Sequence, residues 1–293
     1  MGDFYIFYRR TLAIYLFFWY NGDEKFALEE CIMFKNLGLQ LYTIRDYMTD
    51  PESVDKAFAR LAELGYTEAQ TAGTDYFGAK EIGDLAKKHG ISIVGTHYKW
   101  EEILNNPEKV IEVHKTWNTK FLGIGASPSE TRTDLKKLME FIDQFNKCAE
   151  LYAKEGLRMT YHNHHFDFCR IDGTKTIMDL FVENLDPVNT SFVLDTCWVS
   201  VGGGDVVDWI EKLEGRLDIL HLKDRYIQKL EDTKHYVHAI TEVGNGALCW
   251  DKIMAAAEKI GVKHYVVEQD NNFTGTPFDS LKMTADFLQK YRK

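Results

Sequence analysis

The chain has 293 residues, with a hydrophobic fraction of 45% and a charged fraction of 27%, ordinary values for a globular protein with enough chain to bury a sizeable core. The 35 basic and 45 acidic residues leave a formal charge of −10, which argues against a surface built to grip nucleic-acid phosphates. Five cysteines, Cys31, Cys148, Cys169, Cys197 and Cys249, stand singly with no CxxC pair, so reduced thiols in a cytoplasm are expected rather than a disulfide framework.

Residues 1–32 are aromatic-rich and share no pattern with the rest of the chain. Arg9 and Arg10 followed by residues 11–20 imitate the first two regions of a signal peptide. The apolar run is too short to span a bilayer, and no A-x-A-type cleavage site comes after it. The segment reads as an appendage rather than a membrane anchor, with Met33 opening the folded domain. Residues 33–293 come close to the roughly 250 typical of an eight-fold βα barrel.

From Met33 onward, apolar β-type runs alternate with helical patterns. Residues 37–44 read as a strand, and 53–64 as a helix striped by Val54, Phe58, Leu61 and Leu64, with Gly65 as its stop. Residues 67–71 give a weak second strand, 79–89 a helix closed by Gly90, 91–97 a third strand and 107–117 a helix. Residues 120–126 are a fourth strand and 131–155 a long helix. The fifth strand run, 157–166, carries His162, Asn163, His164 and His165. Helix 176–185, strand 191–196, helix 206–213 and strand 216–223 keep the rhythm. A polar excursion, 224–245, is either a lid or a long loop. Helix 250–260, strand 264–268 and helix 279–291 complete the chain.

Eight strand–helix units without a linker predict one closed (β/α)8 TIM barrel. A doubly wound open sheet is the competing architecture. The dinucleotide loop it often carries is absent, since Gly202-Gly203-Gly204 is not G-x-G-x-x-G.

In such barrels chemistry sits at the C-terminal ends of the strands. Along a strand, side chains alternate between faces, so His162 and His164 point one way and Asn163 the other. Two imidazoles so placed can hold one divalent ion, or one can hold it while the other meets a substrate; the plainer alternative is a pair of satisfied histidines. The other strand ends decide between these. Strand six ends in Asp195, strand seven in His221 with Lys223 on the same face, and strand eight in Glu268 with Asp270 on the same face. Strand three offers His97, and strand one Gln40, Tyr42 and Arg45. Imidazole and carboxylate alternating over four successive strands form a mixed N/O ligand set that suits one Mn, Zn, Co or Fe ion, and Mg less well. Tyr42, Trp198 and Trp250 are candidates to line a sugar pocket, or plain core aromatics.

The stretches LQLYTIRD (39–46), YHNHHFDF (161–168), LDTCW (194–198), GRLDILHLKD (215–224), VGNG (243–246) and VEQD (267–270) resemble the xylose isomerase-like barrel superfamily, in the branch of sugar phosphate isomerases and epimerases. The resemblance covers nearly all of residues 33–293. It implies a metal held by Asp195, His221 and Glu268 together with the strand-five residue. In tagatose 3-epimerase-like members that residue is a glutamate; this chain has His162 there, with His164 matching a substrate-facing histidine. The implied function is a metal-dependent isomerase or epimerase that abstracts a proton beside the carbonyl of a small carbohydrate. His164, Glu268 and Lys223 are the expected catalytic groups, and His97, Gln40, Tyr42 and Trp198 the expected substrate contacts.

His162 removes one of the two carboxylates that a two-face epimerase uses, and so fits better the alternative of a dehydratase or lyase acting on keto-sugars or inososes. An endonuclease IV-like repair enzyme would need a richer ligand set and a basic surface. A non-catalytic sugar-binding barrel would bind its ligand without solvent deuterium exchange. The expected partner is a small carbohydrate, without nucleic acid or membrane, in a cytoplasmic protein for which a homo-oligomer is compatible.

Overall fold

The computed structural model describes residues 34–73, 78–231 and 233–292. The appendage expected over residues 1–32, with its signal-like run, lies outside the described residues. Eight parallel strands close into a barrel: β1 (Leu37–Gln40), β2 (Glu68–Ala72), β3 (Ser92–Tyr98), β4 (Phe121–Ile124), β5 (Arg158–His162), β6 (Thr190–Asp195), β7 (Leu217–Leu222) and, after a hairpin of β8 (Asp224–Lys229) and β9 (Tyr236–Thr241), β10 (His264–Val267). β10 pairs with both β7 and β1, the latter through Gly38 opposite Val266, which closes the ring and excludes the open-sheet alternative.

Helices return the chain from strand to strand. They are α1 (Pro51–Glu63), α2 (Ala79–Lys88), α3 (Trp100–Asn105), α4 (Pro107–Trp117), α5 (Leu135–Ala153), α6 (Ile177–Asn184), α7 (Thr196–Val201), α8 (Val206–Lys212), α9 (Trp250–Lys259) and α10 (Pro277–Leu288). α1 shows why these segments are helical. Asp50 accepts from Ser53 N as the N-cap, Pro51 sits where no amide is needed, and Val54, Ala57, Phe58 and Leu61 bury one face. Each such buried Val, Leu or Phe contributes roughly 1.5–3 kcal/mol. Among the described residues no helix is long and apolar enough to cross a membrane.

A small second core, Val94, Phe121, Val193, Ile219 and Val266, fills the barrel itself. Val193, Ile219 and Val266 each lie two residues before Asp195, His221 and Glu268. With a side-chain period of two, the next inward layer on these strands is therefore the polar one. Gly123 makes room in this layer: a Cβ there would lie 2.9 Å from His97 Cδ2 and 2.8 Å from Thr160 Oγ1.

Several boundaries differ from the sequence expectation. The first strand stops at Gln40, whose side chain accepts from Tyr42 N (3.4 Å) and turns the chain into a 3-10 segment, Leu41–Tyr47. The long fifth helix begins at Leu135 because Asp134 caps it through Lys137 N, and the residues before it form a separate 3-10 turn, Ser129–Arg132. β5 ends at His162; His164 lies beyond it on extended backbone, before the 3-10 turn His165–Phe168. The polar excursion is the β8–β9 hairpin, which the alternation in so polar a stretch did not reveal.

Candidate metal centre

Four strand ends converge on one point. His162 Nδ1 donates to Gly125 O (3.0 Å), which fixes the ring and leaves Nε2 as a bare acceptor. That Nε2 lies 3.6 Å from Asp195 Oδ2 and 3.9 Å from Glu268 Oε2. Asp195 closes β6 and caps α7: its Oδ1 accepts from Trp198 N (2.8 Å), and its own amide donates to Asn163 Oδ1 (2.8 Å). Its Oδ2 is left without a hydrogen bond, as is His162 Nε2, and both atoms are shielded from solvent. His221 is wholly buried, with Nε2 2.5 Å from Gln70 Oε1 and Nδ1 3.0 Å from Glu268 Oε2. One ligand atom from each of His162, Asp195, His221 and Glu268 lies within 4.8 Å of all the others.

This arrangement fits a divalent cation. His162 Nε2 and Asp195 Oδ2 are both buried, lie 3.6 Å apart and have no hydrogen-bond partner, an orphaned lone pair and carboxylate oxygen that a shared cation would satisfy. Charge points the same way. Lys223 Nζ lies 3.2 Å from Glu268 Oε2, 3.5 Å from Asp195 Oδ2 and 2.7 Å from Asp270 Oδ2, so three carboxyl groups crowd round one ammonium.

Burial and neighbouring charge compete in each group. Burial holds the His221 imidazole below its ordinary pKa, although Glu268 works in the other direction. Burial would do the same to His162, but the neighbouring Asp195 and Glu268 carboxylates raise it overall. For Lys223, burial is outweighed by Glu268, Asp195 and Asp270, which hold the ammonium charged. Burial also opposes the Glu268 carboxylate, yet Lys223 and His221 keep its pKa well below the usual range. Asp270 is raised, by burial and by the charge of Glu268.

A cleft of about 850 Å³ opens above the cluster, lined among others by Gln40, Tyr42, His97, His162, His164, Lys223, Glu268 and Asp270. His164 ring stacks on Phe166 (5.0 Å between centroids, 5° between planes) and on Trp198 (5.6 Å, 27°), and its Nδ1 has no partner. Burial and the charges of His162 and Lys223 hold this imidazole down to about 2, so it is neutral at any physiological pH. His97 lies 5.0 Å from the His162 ring, with Nδ1 3.3 Å from Gln40 Nε2 and Nε2 without a partner. Tyr42 stands at the rim, its ring beneath the Arg45 guanidinium.

Not every candidate faces the cleft. Trp198 is not among its lining residues; it packs behind His164 and against His238 of the hairpin. Trp250 lies outside the lining as well, where its indole N–H donates to Asp224 (2.6 Å). Asp224 also accepts from the amides of Gly244, Gly246 and Leu248, which ties the hairpin base to the VGNG loop; a Cβ on Gly246 would collide with its carboxylate. Glu242 is consumed in the same loop by Ser280, Thr241 and Thr274.

Gln70, absent from the sequence reading, is fully buried and orients His221. The alternation of β2 could have pointed to it. Asp167, also missed, accepts from His164 N (2.8 Å) and Tyr161 OH (2.9 Å) and so shapes the turn after β5.

A closed parallel barrel with these residues at its C-terminal strand ends defines a class, and comparison with known proteins agrees. Residues 58–291 match the family model of the xylose isomerase-like TIM barrel, and the chain belongs to that family. Among curated proteins, an inosose dehydratase of Geobacillus thermodenitrificans is 28% identical over 161 residues, 51% of this chain and 53% of that protein, so the match spans about half the length of the relative. Among solved structures, a sugar phosphate isomerase/epimerase from Parabacteroides distasonis superposes with a TM-score of 0.71 at 25% identity, covering 87% of this chain and 94% of its own. The IolI protein with a bound zinc atom shares the fold, at a TM-score of 0.65 and 13% identity over 87% of this chain and 98% of its own.

Proposed function

We propose that this protein is a metal-dependent enzyme that removes a proton from the carbon beside a carbonyl of a small carbohydrate, with the step ending in elimination, as in a dehydratase or lyase of keto-sugars or inososes. The observation that carries this reading is a four-residue cluster bordered by the His164 imidazole, which no protein group engages by a hydrogen bond, while each carboxylate of the site already faces Lys223.

His162, Asp195, His221 and Glu268 would hold the ion, and their mixed N/O set suits Mn, Zn, Co or Fe better than Mg. When bound, such an ion polarises a carbonyl oxygen and acidifies the C–H beside it. His164, whose basicity burial and the charges of His162 and Lys223 depress in the unliganded site, takes the proton as negative charge on the substrate develops beside it; the C–O bond one carbon further breaks, and the imidazolium returns the proton to the departing oxygen. Lys223, held protonated, offsets the negative charge that develops on oxygen. His97 Nε2 and the Gln40 amide are left to orient hydroxyl groups, which suits a polyhydroxylated substrate. The curated relative that acts as an inosose dehydratase supports elimination.

The second reading, proton return by an isomerase or epimerase, is favoured by the Parabacteroides distasonis barrel. Product analysis in deuterated water over inososes, 3-keto-glycosides and free ketoses separates the two. An unsaturated product that has lost water or an aglycone supports elimination. Efficient epimerisation of a free ketose, labelled at one carbon and with no elimination on any 3-keto substrate, would replace it with the second reading.

A further inference from the structure

We propose that Arg132 is a positioning residue for His164, acting through the ring of Phe166. The inference rests on the reading of His164 as the base. Four side chains from three successive βα units are in contact in order. The Arg132 guanidinium carbon lies 3.7 Å from the centre of the Phe166 ring, Phe166 lies parallel to His164, and His164 stacks on Trp198. Arg132 is itself fixed, since its Nη2 donates to Ser127 O (2.8 Å) within the turn after β4.

The chemistry needs such a brace. His164 stands past the end of β5, beyond the last ladder hydrogen bonds, so the sheet does not fix its ring. Its backbone amide is held by Asp167, but that bond leaves χ1 and χ2 free. The stacked Phe166 and Trp198 rings cover the imidazole face and leave its edge to the site, where neither ring nitrogen has a hydrogen-bond partner from the protein. Phe166 is only partly buried and sits on a short 3-10 turn, so an outer group must hold it flat. A guanidinium over its face does so by cation–π attraction. Arg132 lines the same cleft as His164, yet its flat face is on Phe166 and one nitrogen is bound to Ser127. Its Nε has no partner in the protein, so a brace and a substrate ligand make different predictions, which the measurement of KM against kcat separates.

The test uses the full chain loaded with diamagnetic Zn(II) and compares wild type with Arg132→Met and Arg132→Lys. In imidazole 1H–15N spectra, the His164 signal, identified by its loss in His164→Gln, is expected upfield because of its aromatic neighbours. Arg132→Met should move it towards an ordinary position, and Arg132→Lys, which keeps a cation over the ring, should largely restore it. In turnover, Arg132→Met should lower kcat on the order of 10-fold with KM unchanged, the signature of a misplaced group, and Arg132→Lys should recover most of it. Should Arg132→Met fail to fold, Arg132→Gln, which also removes the cation, serves in its place with the same expected shift and loss.

An unmoved His164 signal overturns the proposal whatever the reaction proves to be. A raised KM with kcat intact also overturns it and makes Arg132 a substrate ligand. A displaced signal with unchanged kcat would mean that the stack exists but His164 is not the base, which removes the functional reading rather than the brace.

Discussion

His221 Nε2 lies 2.5 Å from Gln70 Oε1, so a residue of β2 decides which nitrogen of a β7 histidine is left to bind a cation. Replacing Gln70 with Leu removes the acceptor and frees the ring to rotate or change tautomer. Metal affinity should fall about 10- to 100-fold, the usual consequence of losing such an outer partner. Competition against a chelator of known affinity measures it; an unchanged affinity would show that Gln70 does not set the tautomer.

The two histidines at the end of β5 should separate cleanly. His164→Ala should retain the metal and lose turnover by at least about 100-fold, the lower end for a general base. His162→Glu restores a carboxylate ligand and should keep the metal while shifting products from elimination towards epimerisation. Metal content and product analysis on the same preparations distinguish the roles; metal loss in His164→Ala would place that residue in the ligand set instead.

Asp167 gives a pH signature. Burial outweighs its bonds from His164 N and Tyr161 OH and raises its pKa to about 7. A carboxyl raised on folding binds its proton more tightly in the native state. Its contribution is therefore full below the unfolded value near 3.8 and lost progressively as pH rises to about 7, on the order of a few kcal/mol. Asp167→Asn keeps one acceptor and one donor in place, and should flatten that part of the stability curve. Parallel curves for wild type and variant in urea unfolding between pH 4 and 8 would contradict this.

The hairpin base depends on Asp224, which is fully buried and accepts from Trp250 Nε1 and the amides of Gly244, Gly246 and Leu248. Asp224→Ala leaves the buried Trp250 Nε1 unpaired, at about 1–3 kcal/mol, and takes the acceptor from three half-buried amides. We expect a melting temperature lower by about 10 °C, with the metal still bound. Calorimetry of the metal-loaded variant measures it, and a shift under 2 °C would show that the loop stands without this anchor.

The sequence made the barrel and the inward cluster of imidazoles and carboxylates legible for one reason: alternation along β6, β7 and β10 fixes the inward face, and Asp195, His221 and Glu268 fall on it next to apolar neighbours. The residues it hid depend on relations between units. Gln70 falls on the inward face that the alternation of β2 gives, but its role exists only because its side chain meets His221 of β7 inside the barrel. Arg132 touches Phe166 from the preceding strand's loop, a contact no local pattern encodes. Trp198 and Trp250 read alike in sequence, yet Trp198 meets His164 through its ring and leaves its N–H unpaired, whereas Trp250 donates its N–H to Asp224.

The central claim is that His162, Asp195, His221 and Glu268 together hold one divalent ion. Elemental analysis of protein purified without chelator, wild type beside Asp195→Ala, tests it most directly. The account predicts about one transition-metal ion per wild-type chain and almost none in a folded Asp195→Ala barrel. A wild-type protein that carries no metal and takes up none from Mn, Zn, Co or Fe solutions, or an Asp195→Ala variant that keeps its full complement after dialysis, would contradict it.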